Sequence, residues 1–432
     1  MLSVDLLCLP GGHQVTDSDL KPAGAVATET RSVSGSELAL LFYGSLSFIF
    51  LNLGPQLYLV EILAFAVVVH AALSKPKMSR LYWAVFATWA LWLLGTVLSD
   101  LYNPTSTLDA TKGFARVVVL GVLIYALAYL VGRDIRRALF LWTGICLSLV
   151  LSTQLLPNGY FAGEPWKFGF AIPVTLGIFI LASSRLRKLA APLAATMALV
   201  HFLAGSRSLA IVCAITVLIL LLQSESKSSR GRLLVVGVVG LGMLIGLVAI
   251  YDSLSAGGFF GYERQVRASY QAAGQLGSFL TGRGEFLFSL QSIAEKPLLG
   301  VGSYGQPSSE VLNAQVSYLA SEGYATVARD YLRDGIASFH SELLGSVAEN
   351  GILALPFWVV IVFIFARGIG AVLTRRAELA PLVAFLSVLG LWDALFSPLG
   401  ADRKFWVAAS VVTVIALTAP WKVKDDSVNS HY

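Results

Sequence analysis

The chain has 432 residues, of which 56% are hydrophobic and only 13% charged, with a formal net charge of +5. Soluble domains carry about 25% charged residues, so the composition excludes an ordinary water-soluble protein. The small basic excess needs no nucleic-acid partner, because membrane topology accounts for it.

Residues 1–35 are polar and lack the basic start and early apolar core of a secretory signal; they are expected to form a cytoplasmic tail. Apolar runs then recur, each near the length that crosses a bilayer core of about 30 Å. We read twelve spans, at Leu38–Leu53, Leu57–Leu73, Leu81–Ser99, Phe114–Val131, Leu139–Leu155, Gly169–Ser183, Leu189–Gly205, Ser208–Gln223, Leu233–Tyr251, Ile352–Leu373, Ala380–Ser397 and Phe405–Pro420. Backbone groups in lipid must pair within their own segment, so the expected spans are helices and the expected fold is an all-α polytopic membrane protein. Residues 36–252 carry the first nine spans, 253–351 form a long polar segment, 352–420 carry the last three, and 421–432 are a second cytoplasmic tail.

Sidedness follows from the basic residues. With the N-terminus inside, the inner connections receive Lys75, Lys77 and Arg80; Arg133, Arg136 and Arg137; Arg185, Arg187 and Lys188; Lys227, Arg230 and Arg232; and Arg367, Arg375 and Arg376. This is the positive-inside pattern, and it puts the segment 253–351 outside the cytoplasm. Cys8 then lies in the tail, and Cys146 and Cys213 lie within spans, so no disulfide is expected to staple the outer segment. No sequence repeat supports an inverted-repeat transporter.

Three features of the spans bear on function. Glu61 and Asp393 lie inside apolar runs, where an ionisable group either works or pairs with a neighbouring helix. Arg207, in Gly205-Ser206-Arg207-Ser208, sits in a short outer turn against the positive-inside trend, as a membrane anchor or a ligand for an anion.

Long connections are uncommon and usually functional, which directs attention to 253–351. Tyr262–Gln275 is polar, with Arg264 and Arg267 on a possible helix. Thr281-Gly282-Arg283-Gly284 precedes Glu285–Glu295, where Phe286, Leu287, Leu290 and Ile293 fall at helical spacing before Pro297. A glycine-rich turn follows at Gly300–Gly305, then a mixed stretch at Ala314–Arg333. Ser338 is read as the N-cap of a last helix, Phe339–Glu349, closed by Asn350-Gly351.

Gly300–Gly305 matches GxGxxG literally, but it follows a helix rather than a strand, so a nucleotide site is set aside. Of five histidines, His13, His70, His201, His340 and His431, only His340 lies in the outer segment, and no acidic cluster accompanies it; no metal and no cofactor are expected. His340, read in the first turn of a helix, faces a dipole that disfavours its charged form, so it is either a neutral proton acceptor or a plain surface histidine. Arg283, between glycines, can approach a ligand closely and offers a guanidinium to phosphate oxygens, or else to lipid headgroups.

The order of a Ser-Arg turn, a Gly-Arg-Gly segment, Lys296-Pro297-Leu298-Leu299-Gly300-Val301-Gly302, and His340-Ser341-Glu342-Leu343-Leu344 running to Glu349-Asn350-Gly351 resembles the O-antigen ligase and O-antigen polymerase superfamily. Those polytopic enzymes carry a large periplasmic loop late in the chain, and usually show His-Asn where this chain has His340-Ser341. The resemblance implies a GT-C-like glycosyltransferase of the bacterial inner membrane, with about twelve transmembrane helices and a site facing the periplasm. Its donor would be an undecaprenyl diphosphate-linked glycan. Arg207 and Arg283 would bind the diphosphate and His340 would act near the acceptor hydroxyl, with Arg264, Arg267 and Arg403 extending the basic surface. A ligase would use lipid A-core as acceptor; a polymerase would use a second lipid-linked repeat. Ligase is favoured by the single dominant late loop. A lipid-linked glycan transporter is the third reading.

Overall fold

The computed structural model describes residues 33–52, 56–74, 76, 78–132, 134–155, 164–224, 230–262, 265–266, 284–321, 339, 341–374, 379–400 and 403–418. Residues Met1–Ser34 separate as a unit from Gly35–Tyr432, and every described helix and strand belongs to the second unit. In chain order the helices are α1 Gly35–Ser45, α2 Leu59–Ser74, α3 Arg80–Tyr102, α4 Thr107–Val131, α5 Ile135–Leu155, α6 Ala171–Ser184, α7 Ala190–Leu203, α8 Arg207–Leu221, α9 Arg230–Ala256, α10 Gly284–Glu295, α11 Ser309–Ser321, α12 Glu342–Asn350, α13 Leu355–Thr374, α14 Ala380–Phe396 and α15 Arg403–Thr418. Six helical stretches are long and apolar enough to cross a membrane: Arg80–Tyr102, Thr107–Val131, Ile135–Leu155, Trp166–Ser184, Arg230–Ala256 and Ile352–Thr374. Leu59–Ser74, Arg207–Leu221 and Ala380–Phe396 are shorter apolar helices. The protein is therefore a helical, multi-pass membrane protein.

The first expected span differs. α1 stops at Ser45 after 11 residues, a rise of about 16 Å. A 3-10 turn, Leu46–Phe48, leads into a two-stranded antiparallel hairpin, β1 Phe50–Asn52 and β2 Gln56–Tyr58. Phe50 and Tyr58 pair across it with ring centroids 5.6 Å apart. The Ile49-Phe50-Leu51 run is β-branched and aromatic, and Gly54-Pro55 breaks any helix that tries to continue.

Lipid tails are as apolar as leucine, so helices in a bilayer associate through close packing and interhelical hydrogen bonds. α1 and α5 meet at Gly44 and Gly144, where a Cβ on Gly44 would stand 2.5 Å from the Leu141 carbonyl oxygen. Trp142 Nε1 donates to Thr413 Oγ1 at 2.9 Å, tying α5 to α15, and Trp89 Nε1 donates to the Val117 carbonyl at 2.8 Å, tying α3 to α4. Phe179 and Phe385 stack 4.5 Å apart between α6 and α14. α14 is buried along most of its length, as befits a helix apolar on every side.

Two ends of the bundle can be told apart by contacts between helix termini. At one end, Ser183 of α6 accepts from the Leu382 amide of α14, and Arg367 of α13 donates to the Thr418 carbonyl of α15. At the other end, the last turn of α3, the start of α4, the end of α14, and the starts of α2, α13 and α15 gather with α10, α11 and α12. There a second small core forms from Phe288, Val301, Phe339 and Ala348, with Val311, Leu312 and Val316 against it. α11 was not expected; Ser308 opens it, its Oγ accepting from the Val311 amide at 3.4 Å.

Candidate functional site

The site is built at the loop-bearing end, and its centre is the loop Lys296–Gly305. Helix α12 ends at Asn350, and a helix leaves its last carbonyls without intrahelical partners. Here the partners come from elsewhere. The Val301 amide donates to the Ala348 carbonyl at 2.9 Å and the Gly302 amide donates to the Glu349 carbonyl at 3.0 Å. Ser99 Oγ, from the last turn of α3, also donates to the Glu349 carbonyl, at 2.7 Å. Gly300 permits this approach: its φ is +69°, and a Cβ there would lie 2.5 Å from the Glu349 carbonyl.

The last turn of α3 grips the same loop. Asp100 Oδ1 accepts from the Ser303 amide at 2.7 Å and Oδ2 from the Ser303 hydroxyl at 2.8 Å. Asn103 Nδ2 donates to the Gly300 carbonyl at 3.1 Å, while its Oδ1 accepts from Lys296 Nζ at 2.9 Å. From α4, Arg116 forms a buried ion pair with Glu349. The Tyr304 ring lies over that guanidinium, with the centroid 5.1 Å from Cζ. Tyr304 is the one non-glycine residue at positive φ, +54°, among those described. The Gly300–Gly305 run is therefore a docking loop, and its glycines serve close backbone contact.

Of the residues expected from sequence, Arg207 opens α8, with Nη1 3.4 Å from Asp252 Oδ1 of α9 and its Cζ 4.8 Å from the Tyr251 ring centroid. It remains about one-third exposed. Arg403 Nη1 lies 2.8 Å from Asp393 Oδ2, and Asp393 Oδ1 accepts from Ser397 Oγ at 2.6 Å. Glu61 pairs with Lys404 at 2.7 Å and also accepts from the Tyr58 amide at 3.0 Å. Both intramembrane acids thus take the pairing option. Arg264, Arg267, Arg283 and His340 lie outside the described residues.

The described neighbours of the last two are firmly held. Phe288 of α10 stacks on Phe339, with centroids 5.3 Å apart, and Phe286 lies 6.1 Å from Phe396 at the end of α14. Ser341 Oγ accepts from the Leu344 amide at 3.0 Å and donates to the Ala394 carbonyl at 3.0 Å. This corrects the expected helix start: the N-cap is Ser341, not Ser338, and α12 begins at Glu342. The helix that placed residue 340 in a first turn therefore begins after it.

A further polar knot lies between α6 and α7. Trp166, in a π-helical turn at Trp166–Phe170, donates Nε1 to His201 Nδ1 at 3.2 Å. An indole can only donate, so the imidazole proton sits on Nε2, which meets Thr175 Oγ1 at 2.7 Å. His201 is fully buried and both its nitrogens are engaged, which makes it a structural histidine.

Asp100, Asn103 and Arg116 were missed from sequence, and Glu349 and Lys296 were seen only as motif letters. Two signals were present: Asp100 stands in the last turn of α3, the wrong end for an acid beside the helix dipole, and Arg116 interrupts an apolar run. No protein-family model and no curated protein matches the chain.

Proposed function

We propose that the protein is a membrane glycosyltransferase of the O-antigen ligase type. It moves a glycan from undecaprenyl diphosphate to a hydroxyl of lipid A-core, at the outer face of the bacterial inner membrane. The observation that carries this reading is that two of the four motifs behind the resemblance, Lys296–Gly302 and the stretch ending in Glu349-Asn350-Gly351, fold onto each other. Lys296–Gly302 supplies the amides that close the helix ending in Glu349-Asn350-Gly351. Motifs far apart in sequence but joined in space are what a shared architecture leaves behind.

The charge distribution adds support. Arg207–Asp252, Arg403–Asp393, Lys404–Glu61 and Arg116–Glu349 are ion pairs on helix ends that run to the loop-bearing side when helices alternate. Arg185, Arg187, Lys188 and Arg367 sit on the opposite ends. With the positive-inside rule, that arrangement favours a periplasmic loop. A transporter would instead gather such groups near the bilayer midplane between repeats.

In this reading Arg207 and Arg283 hold the diphosphate, and their fixed charge stabilises the leaving group as the bond between anomeric carbon and phosphate oxygen breaks. His340 accepts the proton of the acceptor hydroxyl or orients it, and attack opposite the leaving group inverts configuration. Arg207 is partly exposed beside Asp252, so the diphosphate exchanges with a carboxylate rather than entering a bare cationic site. The same reading assigns Arg264, Arg267 and Arg403 to an extended basic surface for the donor.

Defined acceptors test the reaction. Purified protein given lipid-linked glycan should transfer it to lipid A-core, and Arg207→Ala should raise donor KM by about tenfold or more, the worth of one charge-assisted contact. A ladder formed from lipid-linked repeats alone would assign a polymerase instead.

A further inference from the structure

We propose that Ser206 and Ser255 are further ligands for the donor: their hydroxyls donate to phosphoryl oxygens of the diphosphate whose charge Arg207 meets. The proposal rests on the diphosphate reading of Arg207 and adds two neutral residues to it.

Both hydroxyls are buried and idle. Ser206 is 5% exposed and Ser255 1%, and among the described residues neither Oγ has a hydrogen-bond partner. Each passes over the partner that its own backbone offers. Ser206 is the N-cap residue of α8, where a serine ordinarily accepts from an amide of the first turn, yet its side chain makes no such bond. Its backbone is nonetheless fixed, with the amide donating to the His201 carbonyl at 2.8 Å and the carbonyl accepting from the Ala210 amide at 3.0 Å. Ser255, in the last turn of α9, could donate to the carbonyl four residues back, as helical serines do, and does not. A buried hydroxyl without a partner costs folding free energy, so two such groups beside one arginine call for a ligand.

The surrounding geometry says which kind. Arg207 opens α8, a helix of 15 residues whose first amides lack intrahelical partners and whose dipole favours an anion. On α9, Tyr251 and Asp252 both meet the Arg207 guanidinium. At 3.6 residues per turn Ser255 projects between those two side chains, about 4.5 Å beyond Asp252 along the axis. Tyr251 is locked between the rings of Phe202 and Phe260, with centroids 5.8 and 4.8 Å away, which fixes this face of α9 toward Arg207. A positive helix end, a guanidinium and two spare donors suit a ligand with several anionic oxygens. A diphosphate presents oxygens on two phosphorus atoms, so it serves Arg207 and a hydroxyl one turn away together.

The test separates binding from folding, because removing an idle hydroxyl should not destabilise the protein. Purified protein is titrated with undecaprenyl diphosphate, and inorganic pyrophosphate and phosphatidylglycerol are compared as competitors. Ser206→Ala and Ser255→Ala should each weaken binding about tenfold or more, the worth of a hydrogen bond to a charged group, with Tm unchanged or raised. Ser410→Ala removes a hydroxyl that is equally buried and unpartnered in the middle of α15; it should leave affinity at the wild-type value. Wild-type affinity in both Ser206→Ala and Ser255→Ala overturns the proposal, as does weakening of the same size in Ser410→Ala. Phosphatidylglycerol competing as well as pyrophosphate makes the site a general headgroup contact and also overturns it. Glycan transfer by wild type with serine-independent binding refutes these two ligands alone. Serine-dependent binding of the diphosphate without any transfer supports the site and refutes the glycosyltransferase reading.

Discussion

Asp100 and Lys404 illustrate how differently two charged side chains in one bundle behave. Asp100 opposes the dipole of its own helix, a cost of about 0.3–1 kcal/mol, and recovers it through two hydrogen bonds to Ser303. Lys404 and Glu61 are both nearly fully buried and neutralise one another. Breaking such a pair by removing one partner costs about 3–5 kcal/mol, whereas removing both charges is close to neutral. Lys404→Met should therefore destabilise the protein by about that amount in thermal unfolding, and Lys404→Met with Glu61→Gln should restore most of it. Equal losses in the single and double variants would show that the pair contributes nothing specific. Arg207 stands out in the sequence because it breaks the positive-inside trend. Arg116 does not, because its partner Glu349 lies across the fold and no local pattern announces a tertiary ion pair.

Among the helices, apolar run length located α2 to α9 and α13 to α15, but α4 starts seven residues earlier than expected, at Thr107, and α9 runs five residues further, to Ala256. It failed at α1, where composition is equally apolar but β-branched and aromatic residues favour a hairpin. It also misplaced the start of α12, since Ser338 and Ser341 are both competent caps. Ser341 has a tertiary partner in the Ala394 carbonyl, which no sequence window contains. The loop Lys296–Gly305 has its reason in the carbonyls at the end of α12, which no local window contains. Gly300→Ala tests that. The positive φ and the close Glu349 backbone make any Cβ there strained, at a cost of about 1–3 kcal/mol. Faster hydrogen exchange at the Val301 and Gly302 amides is expected, with little change in α5 or α15. Unchanged protection at those two amides would contradict the docking role.

The described helices of Gly35–Tyr432 form a bundle with a polar, loop-bearing end and an opposite end fringed with basic residues. Sidedness is an expectation from lysine and arginine counts, in which membrane insertion leaves its record. In a cysteine-free background, Leu298→Cys, on an exposed loop position, should react with an impermeant maleimide in intact spheroplasts. Arg187→Cys should react only after permeabilisation. The reverse pattern would turn the protein over and remove the periplasmic site. The chemistry proposed for that end stands on whether glycan is transferred there. Purified wild type, given labelled undecaprenyl diphosphate-linked glycan and lipid A-core, should form the joined product, and His340→Ala should form none while unfolding at the wild-type temperature. Full activity in His340→Ala, or no product from wild type, would contradict the account.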